Sequence, residues 1–214
     1  MKSKIQSLKN GNKKTVIKKL FLTAAVAVSS LTFAQQFGAK AGMNVSTISD
    51  EGFDDTKSKV GYYAGVFMNV PVSESFSIQP EVLYNNLGSK VSSTILGTTY
   101  SSTLNLDYVA VPVMFQYKAT PQFYLEAGPE FGFLVNAKQK FDNGSSSTVT
   151  ELDKEDFNSF NMGVGLGLGF DISKNVGLNA RYVAGFSDIT KESGPAADAK
   201  NKNNTFQVGL NIKF

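Results

Sequence analysis

The chain has 214 residues, 42% apolar and 18% charged, and contains no Cys, His or Trp. That is enough for one domain of ordinary size, and it excludes disulfides, thiolate or imidazole metal sites, and nucleophilic triads that need an imidazole base. The net charge of +3 is unevenly placed: Lys2, Lys4, Lys9, Lys13, Lys14, Lys18 and Lys19 lie in 1–34 without a single acid, which leaves 35–214 with a net of −4. The basic balance is therefore no argument for nucleic-acid binding.

Residues 1–34 read as a secretory signal peptide. A lysine-rich start is followed by LFLTAAVAVSSLTF (20–33), and Ala34 stands at the expected cut before Gln35 and Gln36. The apolar run is shorter than the ~18–20 residues of a spanning helix. Every later apolar stretch is interrupted by Gly, Asn, Glu or Lys within about ten residues, so no spanning helix is predicted in 35–214, which is taken as one domain. A closed β-barrel is the other way through a bilayer.

From Phe37 onward the apolar period is two, the mark of strands. Eight are predicted, at 37–48, 59–70, 75–87, 103–118, 122–137, 156–171, 175–187 and 204–214. The connections alternate short and long. Tight turns are expected at 71–75, 118–122 and 171–175, and loops at 49–58, 88–102, 138–155 and 188–203. Long loops on one side and turns on the other are the sidedness of an eight-stranded, antiparallel, up-and-down outer-membrane barrel.

The aromatic residues fall in two rows on the apolar face. Phe37, Phe76, Tyr117, Phe123, Phe170 and Phe214 lie at the turn end, and Tyr62, Tyr84, Phe133, Phe160, Phe186 and Phe206 at the loop end. Ten residues of tilted strand between rows span roughly 25 Å, the height of an outer-membrane apolar band with interfacial girdles. The other face is small or polar and is assigned to the interior. Gly163, Gly165, Gly167 and Gly169 recur there at the strand period, not at dinucleotide-loop spacing. An interior charge network is expected in which Arg181 and either Lys40 or Lys213 pair with Glu81, Glu126 and Glu130. Pro80, Pro112 and Pro129 sit inside predicted strands of a barrel without edges, so bulges or local irregularity are expected there, with a register slip of one as a further alternative.

The loops offer little chemistry. Asp50, Glu51, Asp54 and Asp55 form an acidic first loop, read as solvated, with weak divalent-cation binding as the sharper alternative. Asn143-Gly144 marks a hairpin tip in the third loop, and 189–204 is polar throughout. No cofactor, metal or catalytic residue is assigned. The leading function is a non-enzymatic barrel in outer-membrane lipid, structural or recognising a surface partner through its loops. The alternatives are a small-solute pore and a soluble lipocalin-like carrier, the latter turning the apolar face inward and the charges outward.

The phrases LDYVAVPVMFQYK (106–118) and YLEAGPEFGFLV (124–135), with the signal peptide and a last strand ending in Phe214, resemble the PorT-like outer-membrane β-barrel proteins of Bacteroidetes. The fold of that family is similar to the small OmpA/OmpX-type barrels. The resemblance implies insertion by the barrel-assembly machinery, which reads a terminal aromatic residue such as Phe214, and carries no catalytic site with it.

Overall fold

The computed structural model describes residues 35–49, 57–95, 98–153, 157–189 and 202–214. The predicted signal peptide and the acidic first loop lie outside these residues, as does most of the polar fourth loop. The described chain is built of nine antiparallel strands: β1 (Gln36–Ser49), β2 (Lys57–Pro71), β3 (Phe76–Ile95), β4 (Thr98–Lys118), β5 (Phe123–Asp142), β6 (Ser147–Glu151), β7 (Phe160–Asp171), β8 (Val176–Asp188) and β9 (Lys202–Lys213). Eight of them close a ring in chain order, with β9 pairing back onto β1. The ninth, β6, is a short return strand on the upper part of β5.

The seam between first and last strands runs from Gly38↔Lys213 to Ser49↔Lys202, and Phe214 N–H donates to the Phe37 carbonyl at 2.9 Å. Closure gives each strand a neighbour on both sides, which a hydrocarbon surround demands of the backbone. Along the strands the outward face is apolar, while the inward face mixes polar, small and some bulky side chains such as Tyr63, Phe67, Leu83 and Met114. On β1 and β9, Met43 and Val208 are exposed while Asn44 and Gln207 are buried. On β7, Leu166 and Leu168 face out between the inward glycines. The carrier alternative, which needs the opposite orientation, is overturned: Glu81, Glu126 and Arg181 are sealed inside.

The three tight turns share one device. Ser73, Thr120 and Ser173 each turn a side-chain oxygen to the backbone N–H three residues on, at Phe76, Phe123 and Val176, over 3.1, 2.9 and 3.1 Å. A hydroxyl acceptor at that position completes a turn that the backbone alone leaves with a free donor.

Two expectations need correction. The segments 88–102 and 138–155 are largely strand, not loop: β3 and β4 continue as a hairpin to Ile95↔Thr98, and β5 turns back into β6 through Asn143–Ser146, with Gly144 at φ 82°. The sequence signal fades there because no lipid faces this part, so the outward side chains need not be apolar. Pairing persists through β-branched and hydroxyl residues such as Thr94 and Thr99, whose hydroxyls meet at 3.1 Å. The strand predicted from 156 starts at Phe160.

Nor does the register slip at the prolines. The β3–β4 ladder breaks after Pro80↔Val113 and resumes in the same register at Leu83↔Ala110. The β4–β5 ladder breaks after Pro112↔Glu130 and resumes unchanged at Phe115↔Ala127. Missing donors on neighbouring strands thus share two interruptions. The register shifts lie toward the loop end, between Ser58 and Tyr63, at Asp107/Tyr108, and between Ala184 and Asp188.

Because the chain lacks native cysteine, single cysteines report orientation without background. Cysteine at Leu166 or Val208 is expected to react with a bilayer-dissolved maleimide in reconstituted protein, and cysteine at Asn179 or Gln207 to stay unlabelled; the reverse pattern overturns the assignment of faces.

Candidate functional site

The interior is organised in layers along the strand direction. Nearest the turns, Lys213 donates to Asp171 at 2.6 Å. Above it runs a polar relay: Tyr63 OH donates to Asn179, Asn179 to Asn211, and Asn211 to Tyr124 OH, over 2.8, 2.8 and 3.0 Å. On the opposite wall, Asn69 donates to Gln116 at 2.8 Å and to Gln79 at 3.2 Å.

At mid-barrel a charge cluster ties four strands together. Arg181 of β8 grips Glu81 of β3 through both terminal nitrogens, at 2.9 and 2.8 Å, across 100 residues of sequence. Its Nε and Nη2 also reach Glu126 of β5, at 2.8 and 2.7 Å. Lys40 of β1 donates to Glu81 at 2.8 Å. The remaining carboxylate lone pairs are met by Gln79 on Glu81, at 2.8 Å, and Gln116 on Glu126, at 3.0 Å. Two cations and two anions therefore balance, with a planar guanidinium in fork geometry at the centre.

The glycine stripe makes this cluster possible. A Cβ at Gly169 would collide with the Tyr124 ring, one at Gly167 would lie 2.9 Å from Glu126 Oε1, and one at Gly165 would lie 3.3 Å from Arg181 Cδ and 3.2 Å from Met114 Cε. Four side chains, from β5, β8 and β4, thus lie against a wall without side chains.

Of the charged residues expected in the network, Arg181, Glu81 and Glu126 come together with Lys40, one of the two lysine alternatives. Lys213, the other, sits nearer the turns and pairs with Asp171 at the end of β7. Glu130 lies one pleat toward the loops and makes no ion pair among the described residues. Of the two aromatic rows, Phe37, Phe76, Tyr117, Phe170 and Phe214 at the turn end, and Tyr62, Tyr84, Phe133, Phe160, Phe186 and Phe206 at the loop end, stand outward and exposed, while Phe123 is half-buried. Within each row, neighbours touch: Phe76 with Tyr117 at 5.0 Å between ring centres, and Phe133 with Phe160 at 5.5 Å.

Toward the loops the lumen narrows again. Lys59 donates to Asn86 and to the Leu87 carbonyl, at 2.6 and 2.8 Å, and Asn86 passes the contact to Asp107. Above this an apolar cap forms from Leu87, Leu106, Tyr108 and Ala137 of the strands with Phe157 and Ile189 of the connections. Asn158 N–H donates to the Ile189 carbonyl at 2.8 Å, and Leu134 N–H to the Ser159 carbonyl at 3.0 Å, which joins the two connections over the mouth. Nothing in the strand period pointed to Phe157 or Ile189, since both lie outside the regular strands.

A closed eight-stranded ring with lipid-facing apolar strands, a filled polar lumen and three hydroxyl-closed turns together at one end defines a small outer-membrane barrel. The chain belongs to the outer membrane protein β-barrel domain family, whose model matches residues 33–191. Among solved structures it is similar to Ail, the attachment invasion locus protein of Yersinia pestis, at 15% identity and a TM-score of 0.50 over 84% of this chain and 98% of that one. It is also similar to Neisserial surface protein A, at 12% identity and a TM-score of 0.47 over 83% and 97%. A third is the outer membrane protein OprG of Pseudomonas aeruginosa, at 14% identity and a TM-score of 0.41 over 85% and 96%. At such identity the first likeness is one of fold. No curated protein sequence matches the chain. The protein is thus an integral outer-membrane β-barrel protein.

Removing one member of a buried ion cluster strands its partners, at a cost of about 3–5 kcal/mol. Arg181→Met is expected to lower unfolding stability in lipid vesicles by that amount, measured by urea titration. Adding Glu126→Gln in the same chain should recover part of the loss. Gly169→Val should displace Tyr124 and slow or prevent folding, seen as loss of the heat-modifiable band on gels.

Proposed function

We propose that this protein is a non-enzymatic outer-membrane barrel of the PorT-like group of Bacteroidetes, exported by a leader at 1–34, inserted by the barrel-assembly machinery, and acting through its outer hairpins. The observation that carries the reading is the obstruction of the lumen at two levels. The Lys40–Glu81–Arg181–Glu126 cluster fills the middle, and the Phe157–Ile189 cap covers the loop end. A barrel of eight strands has no space left for a solute path once such side chains occupy it. Recognition is then left to what projects beyond the lipid band.

That projection is substantial. From the outer aromatic row at Tyr84, β3 runs on to Ile95, a rise of roughly 25 Å for a tilted strand. With β4, β5 and β6 it makes a four-stranded sheet on one side of the mouth. Val91, Tyr100, Phe141 and Val149 are exposed on it. Apolar side chains standing in water above the girdle fit contact with another macromolecule better than a scaffolding role. The two outward aromatic rows support the membrane placement, as interfacial anchors. The two phrases at 106–118 and 124–135 support the group, and the absence of His from the sequence supports a non-catalytic role.

Reconstituted into planar bilayers, the protein is expected to show no resolved single-channel currents. Stable openings of ordinary porin size would overturn the filled-lumen reading and favour the small-solute pore.

A further inference from the structure

Between the charge cluster and the apolar cap lies a small cavity of about 20 Å³, lined among others by Asn85, Tyr108, Glu130, Asn161, Asn203 and Thr205. A cavity of that size has room for water or a bare ion. Its polar lining is unpartnered to an unusual degree. Both side-chain polar atoms of Asn85, the Glu130 Oε2 and the Asn203 Oδ1 are buried and meet no hydrogen-bond partner among the described residues. Asn85 is 1% exposed and Asn203 5%. Unmet groups of this kind cost free energy wherever they occur, and here they converge on one space.

The charges lead to the same place. Lys40 and Arg181 balance Glu81 and Glu126, Lys213 balances Asp171, and Lys59 reaches Asp107 through Asn86. Glu130 is left over, one negative charge with no ion pair and one oxygen aimed into the cavity. A buried carboxylate without an ion pair in low dielectric takes up either a proton or a counter-charge. A proton would neutralise it but would leave the oxygens of Asn85 and Asn203 as they are. A small hard cation meets carboxylate, amide and hydroxyl oxygens together.

We propose that the cavity is a site for one monovalent alkali cation, held by the Glu130 carboxylate with the side-chain oxygens of Asn85, Asn203 and Tyr108. One negative charge matches one positive charge, and the cavity has room for a bare ion. The cation makes the interior of the barrel neutral and completes the stack between cluster and cap. It rests on the lumen geometry and not on the surface role, so loss of either leaves the other standing.

The test is thermal unfolding of the folded barrel in detergent micelles, in sodium, potassium or choline chloride at equal ionic strength. The wild type is expected to melt about 3 °C or more higher in one alkali salt than in choline, with a saturable dependence on that cation. Glu130→Gln should melt alike in all three salts. Asn85→Ala, which keeps the charge, should raise the midpoint cation concentration about tenfold, and it serves where the Glu130 variant does not fold. Equal melting of the wild type in choline and alkali salts overturns the proposal and leaves water in the cavity. So does a melt that falls with rising pH regardless of cation, which assigns a proton to Glu130. A cation response that survives in Glu130→Gln places the ion elsewhere and overturns it as well.

Discussion

Hydrocarbon offers no hydrogen bond, and that single fact shapes both the wall and the filling of this protein. The wall must pair every backbone group within itself, so the sheet closes on its own first strand. The filling must then satisfy itself too, because a ring of eight strands encloses a space too narrow for bulk water and too polar to leave empty. The pairing of β1 with β9 and the grip of Arg181 on Glu81 answer the same demand at two scales.

The interior therefore resembles a stack of separate solutions. Near the turns, amides and phenols relay hydrogen bonds across the lumen. At the middle, a guanidinium is surrounded by two carboxylates, which places strong charge where no solvent screens it. Near the loops, Phe157 and Ile189 bring hydrophobic burial back in, since beyond the lipid band water is available to drive it. The glycines of β7 are the geometric condition for the middle layer. They remove one wall's side chains so that Tyr124, Glu126 and Arg181 can cross the lumen.

What the sequence revealed follows from where lipid makes demands. Within the apolar band, the alternation of outward Val, Leu and Phe with inward Gly, Asn and Glu is forced, and strand count, order and facing were readable from it. Lys40, Glu81, Glu126 and Arg181 could be assigned to one interior because a charge at an inward position has to find a partner. Depth was harder to judge. Lys213 and Glu130 have the right parity but sit at the wrong height, and height depends on tilt and stagger that period two does not encode. Above the lipid the constraint vanishes, and with it the signal: on the upper halves of β3, β4 and β5 the exposed residues mix Val91, Tyr100 and Phe141 with Ser93, Thr94 and Lys140, so no clean apolar alternation marks the strands. The irregularity expected at the prolines is present without a slip: Pro80 and Pro112 face a common interruption and Pro129 faces the next, so neighbouring strands skip the same rungs and stay aligned.

The three hydroxyl-closed turns have a consequence for how the molecule is made. Each lets a hairpin define itself from a few adjacent residues, β2 with β3, β4 with β5, and β7 with β8, before anything distant is in place. Ring neighbours are nearly all neighbours in the chain, so assembly asks for little search except at one place. The meeting of Gly38 with Lys213 spans almost the whole described length. Closing so long a stretch carries the largest chain-entropy cost of any pairing in the ring, and until it shuts two strand margins stay unpaired.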